Sequence, residues 1–144
     1  MNTGVLKTII TSLVAAGAVQ FFVHKIQSDF IFIFLKTNIT NLQVALLAVN
    51  TATLGIVLTK IREIIDITDQ RAAFESTRNE MLLSIKEQVA LVAASLLILA
   101  IESAKNFQIV VPSEIFQAAL IASFIYSILI LYDTAKSVFI IVDY

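Results

Sequence analysis

An all-α, integral membrane bundle of four spanning helices follows from three properties of this 144-residue chain. Hydrophobic residues make up 58% of it and charged ones 15%, with a mean hydropathy of +0.90, so a water-soluble fold would leave a large apolar area facing solvent. The apolar residues gather into runs of membrane length, separated by short charged stretches. Three Gly and one Pro are too little punctuation for a barrel of many short strands, whereas a helix satisfies its own backbone hydrogen bonds in lipid.

The first span is predicted over 7–24: between Lys7 and His24 lie sixteen residues, all apolar or small but Gln20, about 24 Å of helix. The triplet Ala16-Gly17-Ala18 after Lys7 imitates a secretory cleavage site, but Phe21, Phe22 and Val23 prolong the apolar run past it, so the segment is expected to be retained. Ile26 to Leu35 follows, with six consecutive apolar residues from Phe30 to Leu35. Capped by Ser28 or Asp29, it is expected to form a short helix in the outer interface, or else to begin the second span.

The second span, 37–60, is the clearest by length and also the most polar. Asn38, Asn41, Gln43, Asn50, Thr51 and Thr53 ride on a frame of Leu, Val, Ala and Ile. Lipid does not tolerate so many amides on one outward face, so they are expected to look at protein or water. Residues 60–88 are charged and carry Arg62/Asp66 and Arg71/Glu75 at four-residue spacing, with Phe74, Thr77, Met81, Ile85 and Val89 recurring at helical period. They predict a cytoplasmic helical hairpin turning near Asp66 to Asp69, with a capping box, Thr77-Arg-Asn-Glu80, that starts or restarts the third helix. The third span, 88–106, is apolar only from Val89 to Ile101, so it must take in Glu102 and Lys105 to cover about 30 Å of hydrocarbon. Pro112-Ser113 then stops one helix and caps the next, Glu114 sits at its positive end, and the fourth span covers 114–133.

Lys60, Arg62, Arg71, Arg78 and Lys86, with Lys7 and Lys136, put seven positive charges on one side of this topology, against Lys25, Lys36 and Lys105 on the other. The bias places both termini and the hairpin in the cytoplasm, in a bacterial inner membrane. The triplet Asn38-Ile39-Thr40 matches a glycosylation acceptor but falls at a helix start, where the bilayer excludes modification.

Composition also narrows function. The length fits one domain, 1–144. A net charge of −1 and a pI near 5.7 supply no basic surface for nucleic acid. With no Cys and one His, His24, there is no thiolate, no metal constellation and no pair of axial haem ligands. No phosphate-cradling glycine loop and no nucleophile with a base appear, so a non-enzymatic protein without cofactor or metal is expected.

The residues that remain are polar groups within the spans. Asn50 falls near mid-depth, and counting from the cytoplasmic ends puts Ser95, Ser123 and Tyr126 at its level; the group is expected to act as interhelical glue in preference to a pore lining. Gln20, Asn41 and Gln43 are candidates for an outer vestibule under the same weighing. Glu102 is the one carboxylate expected to enter the hydrocarbon, and an ion pair with Lys105 explains it more simply than an ion pathway. Small residues form seams: Asn41, Ala45, Ala48, Ala52, Gly55 and Thr59 on the second span, Ala90, Ala93, Leu97, Ala100 and Ala104 on the third, and Ala118, Ala122, Ala119, Ser123 and Ser127 on the fourth. They are expected to pack helices within the chain, with packing between chains as the alternative. Arg62, Arg71, Glu75 and Arg78 are the candidate partner-binding residues of the hairpin.

In size and number of spans the chain resembles compact membrane subunits of bacterial phage-defence systems, and phage lysis proteins. The likeness is architectural. It implies a self-associating, membrane-perturbing or pore-forming effector whose partners are the bilayer and further copies of itself. Two other readings stand beside it: an anchor that recruits a cytosolic protein through residues 60–88, and a small transporter or channel subunit. Transport lacks the broken helices and inverted repeat of ion-coupled carriers.

Overall fold

The computed structural model describes residues 3–68, 71–104 and 112–142. They form four helices: α1 (Thr3–Lys25), α2 (Phe30–Thr68), α3 (Arg71–Ser103) and α4 (Ser113–Val142). All four are long and apolar enough to cross a membrane. At 1.5 Å per residue the 39 residues of α2 and the 33 of α3 extend about 58 and 50 Å, well beyond about 30 Å of hydrocarbon. Their charged stretches are therefore continuous with the spans. Leu54, Val57 and Ile61 of α2 pack there with Met81 of α3, and Ile65, Phe74, Ile85 and Val138 close the cluster. The turn expected near Asp66 to Asp69 falls partly at 69–70, outside the described residues.

Of the two readings of Ile26 to Leu35 the second holds, and the expectation for the Thr77–Glu80 box is corrected. Phe30 to Leu35 forms no separate interfacial helix; it is the first turns of α2, because nothing between Asp29 and Leu35 interrupts helical hydrogen bonding. The carbonyl of Asp29 accepts the first bond, from the N–H of Ile33 at 2.9 Å, while the Ser28 hydroxyl accepts loosely from Phe30 N–H at 3.4 Å. The Thr77–Glu80 box starts no helix, because α3 already runs from Arg71 and Thr77 has its backbone donors paired within it. The fourth helix does begin at the expected place, with Pro112 C=O accepting from Ile115 N–H at 3.1 Å.

The helices alternate in direction. Gln20 near the end of α1 reaches Glu114 at the start of α4, Ser95 of α3 meets Ser123, and Ser84 meets Thr134. So α4 runs antiparallel to α1 and α3, and alongside α2. It packs against all three, and α2 also packs on α3. Its span is accordingly 44% buried, against 11% for α1 and for α3. The fourth-helix seam lies inside as expected, with Ala122, Ser123 and Ser127 buried. α1 attaches mainly through Ala16, which packs with Ile121 and Ala122 of α4 and Leu35 of α2.

The α1–α2 link is tight. Ser28 N–H bonds Val23 C=O at 3.3 Å and Gln27 N–H bonds His24 C=O at 3.2 Å, the paired bonds of a Schellman motif. Gln27 is left-handed there (φ 52°), where a side chain is disfavoured. Gln27→Gly is expected to stabilise the protein by about 1 kcal/mol, seen as a higher thermal midpoint in detergent. Gln27→Val is expected to lower it.

Candidate functional site

Buried polar residues, continued by an ion pair at one end and an apolar contact at the other, form a ladder between α2 and α3. On α2 the rungs are Lys36, Gln43, Asn50 and Val57; on α3, in antiparallel order, they are Glu102, Ser95, Gln88 and Met81. Both series step by seven residues, about 10.5 Å per rung. A seven-residue repeat keeps the same two faces together along a pair of gently wound helices, and here it carries polar groups where a soluble coil carries leucines.

At one end, Lys36 Nζ lies 2.6 Å from Glu102 Oε1 and also sits over the Phe32 ring, 5.6 Å from its centre. Glu102 is only 8% exposed. Lys36 of the neighbouring helix is the shown partner of Glu102, while Lys105, the partner expected from the sequence, lies outside the described residues. One rung further, Gln43 Nε2 donates to Ser123 Oγ at 2.9 Å and to Ser127 Oγ at 3.3 Å, and Ser95 Oγ lies 2.8 Å from Ser123 Oγ. On the third rung, Asn50 Nδ2 donates to Ser84 Oγ at 2.9 Å and Gln88 Oε1 at 3.0 Å, and Ser84 continues to Thr134 at 3.4 Å. Gln43, Asn50, Gln88 and Ser95 are each at most 2% exposed.

The single mid-depth cluster expected from the sequence is therefore split. Ser95 and Ser123 belong to the rung of Gln43, Asn50 belongs to that of Gln88, and Tyr126 donates separately to Glu87 Oε2 at 3.2 Å. Counting from the span ends at 60 and 88 misplaced them because those ends are not level: the register that pairs Asn50 with Gln88 puts residue 60 opposite about residue 78. Gln88, Ser84 and Thr134 were not anticipated. A signal existed: Gln88 stands seven residues before Ser95, as Gln43 stands seven before Asn50.

The expected vestibule is likewise dispersed. Gln20 donates to the Glu114 carbonyl at 2.9 Å, Gln43 is inside the bundle, and Asn41 faces outward with no hydrogen-bond partner among the described residues. Of the hairpin residues, Arg62, Glu75 and Arg78 share the wall of one recess of about 910 Å³ with Asp66, over a floor of Leu58, Ile61, Ile65 and Phe74. The Arg71 side chain is outside the described residues.

The small-residue seams of α2 and α3 overturn the expectation of packing within the chain. Asn41, Ala45, Ala48, Ala52, Gly55 and Thr59 are all exposed, as are Ala90, Ala93, Leu97 and Ala100. A Cβ added at Gly55 would meet nothing within 4 Å. The geometry explains this: on both helices the seam falls two and five residues after a ladder position, a rotation of about 200° and 140° away from the inner face.

Among the described residues no group of His, Cys, Asp and Glu is placed to hold a metal ion. Comparison with protein families, curated proteins and solved structures found no match for this chain.

Inside and outside amides are expected to behave differently. Asn50→Ala removes two interhelical bonds and is expected to lower protomer stability by about 1 kcal/mol, measured by unfolding in mixed micelles. Asn41→Ala is expected to leave it unchanged.

Proposed function

We propose that this membrane protein works as an assembly of its own copies, with the α2 seam of one protomer seated on the α3 seam of the next. The observation that carries this reading is the relation between the two outward seams. Continuing the ladder register, Ala48 is level with Ala90, Ala45 with Ala93, and Asn41 with Leu97. The two small-residue faces thus occupy the same depth on opposite sides of the α2–α3 pair. In lipid, association depends on close backbone approach and on polar groups finding partners, and both faces offer the first while Asn41 needs the second. Two different faces on opposite sides make a head-to-tail contact, which closes into a ring or continues as a chain.

A ring of this kind is the basis for a membrane-perturbing or pore-forming effector, of the phage-defence or toxin type, in a bacterial inner membrane with both termini cytoplasmic. The inner faces of α2, α3 and α4 are closed by buried side chains, so a conduit would run between copies. The absence of a nucleophile–base pair in the sequence favours a non-enzymatic role. A second reading, the anchor, draws support from the recess that gathers Arg62, Asp66, Glu75 and Arg78 around apolar residues at the far end of α2 and α3. A protein segment carrying both charges and an apolar anchor would suit it.

The chain has no native Cys, so engineered pairs report cleanly. Ala48→Cys combined with Ala90→Cys is expected to give an oxidant-dependent ladder of oligomers in membranes, while either substitution alone gives at most monomer. A dimer from Ala48→Cys alone would indicate a two-fold contact instead, and monomer throughout would refute assembly. Ala48→Leu is expected to weaken the ladder and, in cells expressing the protein, to reduce depolarisation read with a potential-sensitive dye.

A further inference from the structure

α1 and α3 both lie against α4, and the cleft between them forms a cavity of about 440 Å³ at the end of the bundle where α1 begins. Its lining is unlike the rest of the spanning surface. Lys7 comes from α1, Glu80 and Glu87 from α3, and Asp133 from α4, with the hydroxyls of Ser84 and Thr134 behind them. Leu54, Leu129 and Ile130 line the cavity as well. The cleft therefore sets charged and hydroxyl groups beside apolar ones, a lining that suits an amphiphilic ligand.

Acyl chains alone cannot fill such a space, because they leave carboxylates and hydroxyls without solvation. Three carboxylates against one ammonium give the lining a net negative charge that favours a cation. Tyr126 donates to Glu87 Oε2 and fixes that carboxylate. Ser84 and Thr134 add acceptor lone pairs, which reward N–H donors over a methylated nitrogen.

We infer that this cleft binds a primary ammonium group between Glu87 and Asp133, with Lys7 placed to pair with an anionic group attached to it. The ammonium has two possible sources, the headgroup of phosphatidylethanolamine or a free small amine. Charge-assisted hydrogen bonds at a water-poor boundary make the site selective for N–H over N-methyl.

The test uses the full chain purified in dodecyl maltoside, with its thermal midpoint followed by helical circular dichroism and bound lipid counted by native mass spectrometry. Phosphatidylethanolamine is expected to raise the midpoint and remain bound, and phosphatidylcholine and phosphatidylglycerol are expected to do neither. If ethanolamine alone reproduces the shift, the free amine suffices; if only the lipid does, the headgroup is the ligand. Glu87→Gln with Asp133→Asn is expected to abolish the shift, and Glu63→Gln, on an exposed face away from the cleft, to preserve it. Asp133→Asn alone changes an exposed side chain and is expected to cut the shift by at least half, so the site stays testable if the double variant fails to fold. Equal shifts from all three lipids, or a full phosphatidylethanolamine shift in the Asp133→Asn protein, would overturn the inference.

Discussion

Lipid offers no hydrogen bonds, and that one constraint organises this molecule. A helix closes its own backbone bonds, but the amides and hydroxyls of Gln43, Asn50, Gln88 and Ser95 can be satisfied in hydrocarbon only by one another or by neighbours. Their seven-residue spacing puts them on one face of α2 and one face of α3, and that face becomes the interior. Each bond is worth only about 0.6 kcal/mol in such settings, so the ladder contributes more to register than to total stability. Sliding α3 by one turn along α2 would separate every rung at once, including Lys36 from Glu102.

α4 completes the same logic. Ser123 and Ser127 receive Gln43, Ser123 also meets Ser95, and Thr134 meets Ser84, so one helix serves two rungs and is drawn into the centre. Its small residues then allow α1 to approach on the other side through Ala16. Because α1 and α3 both depend on α4, a cleft remains between them, and it holds Glu80, Glu87 and Asp133 near the bundle's end. The bundle's centre and this charged cleft thus share a cause.

The outward seams follow from the inward ladder. Once the amides claim one side of α2 and α3, the alanines and glycine two and five residues later must point away. In water such faces would be unremarkable, since alanine buries little area. In a bilayer they are the places where another helix can come closest, and Asn41 lies among them.

The four apolar helices, the start of α4 at Pro112-Ser113, and the need of Gln43 and Asn50 for protein partners were legible in the sequence, since hydropathy, a proline and the cost of a bare amide in lipid are local properties; Asn41 faces outward and Asn38 bonds its own helix instead. The pairings were not. Glu102 joining Lys36, Asn50 joining Gln88, and the seams facing outward all depend on how far α3 slides along α2 and how each helix turns about its axis. Those are two rigid-body variables that no single helix encodes, and only the packing of α2, α3 and α4 against one another sets them.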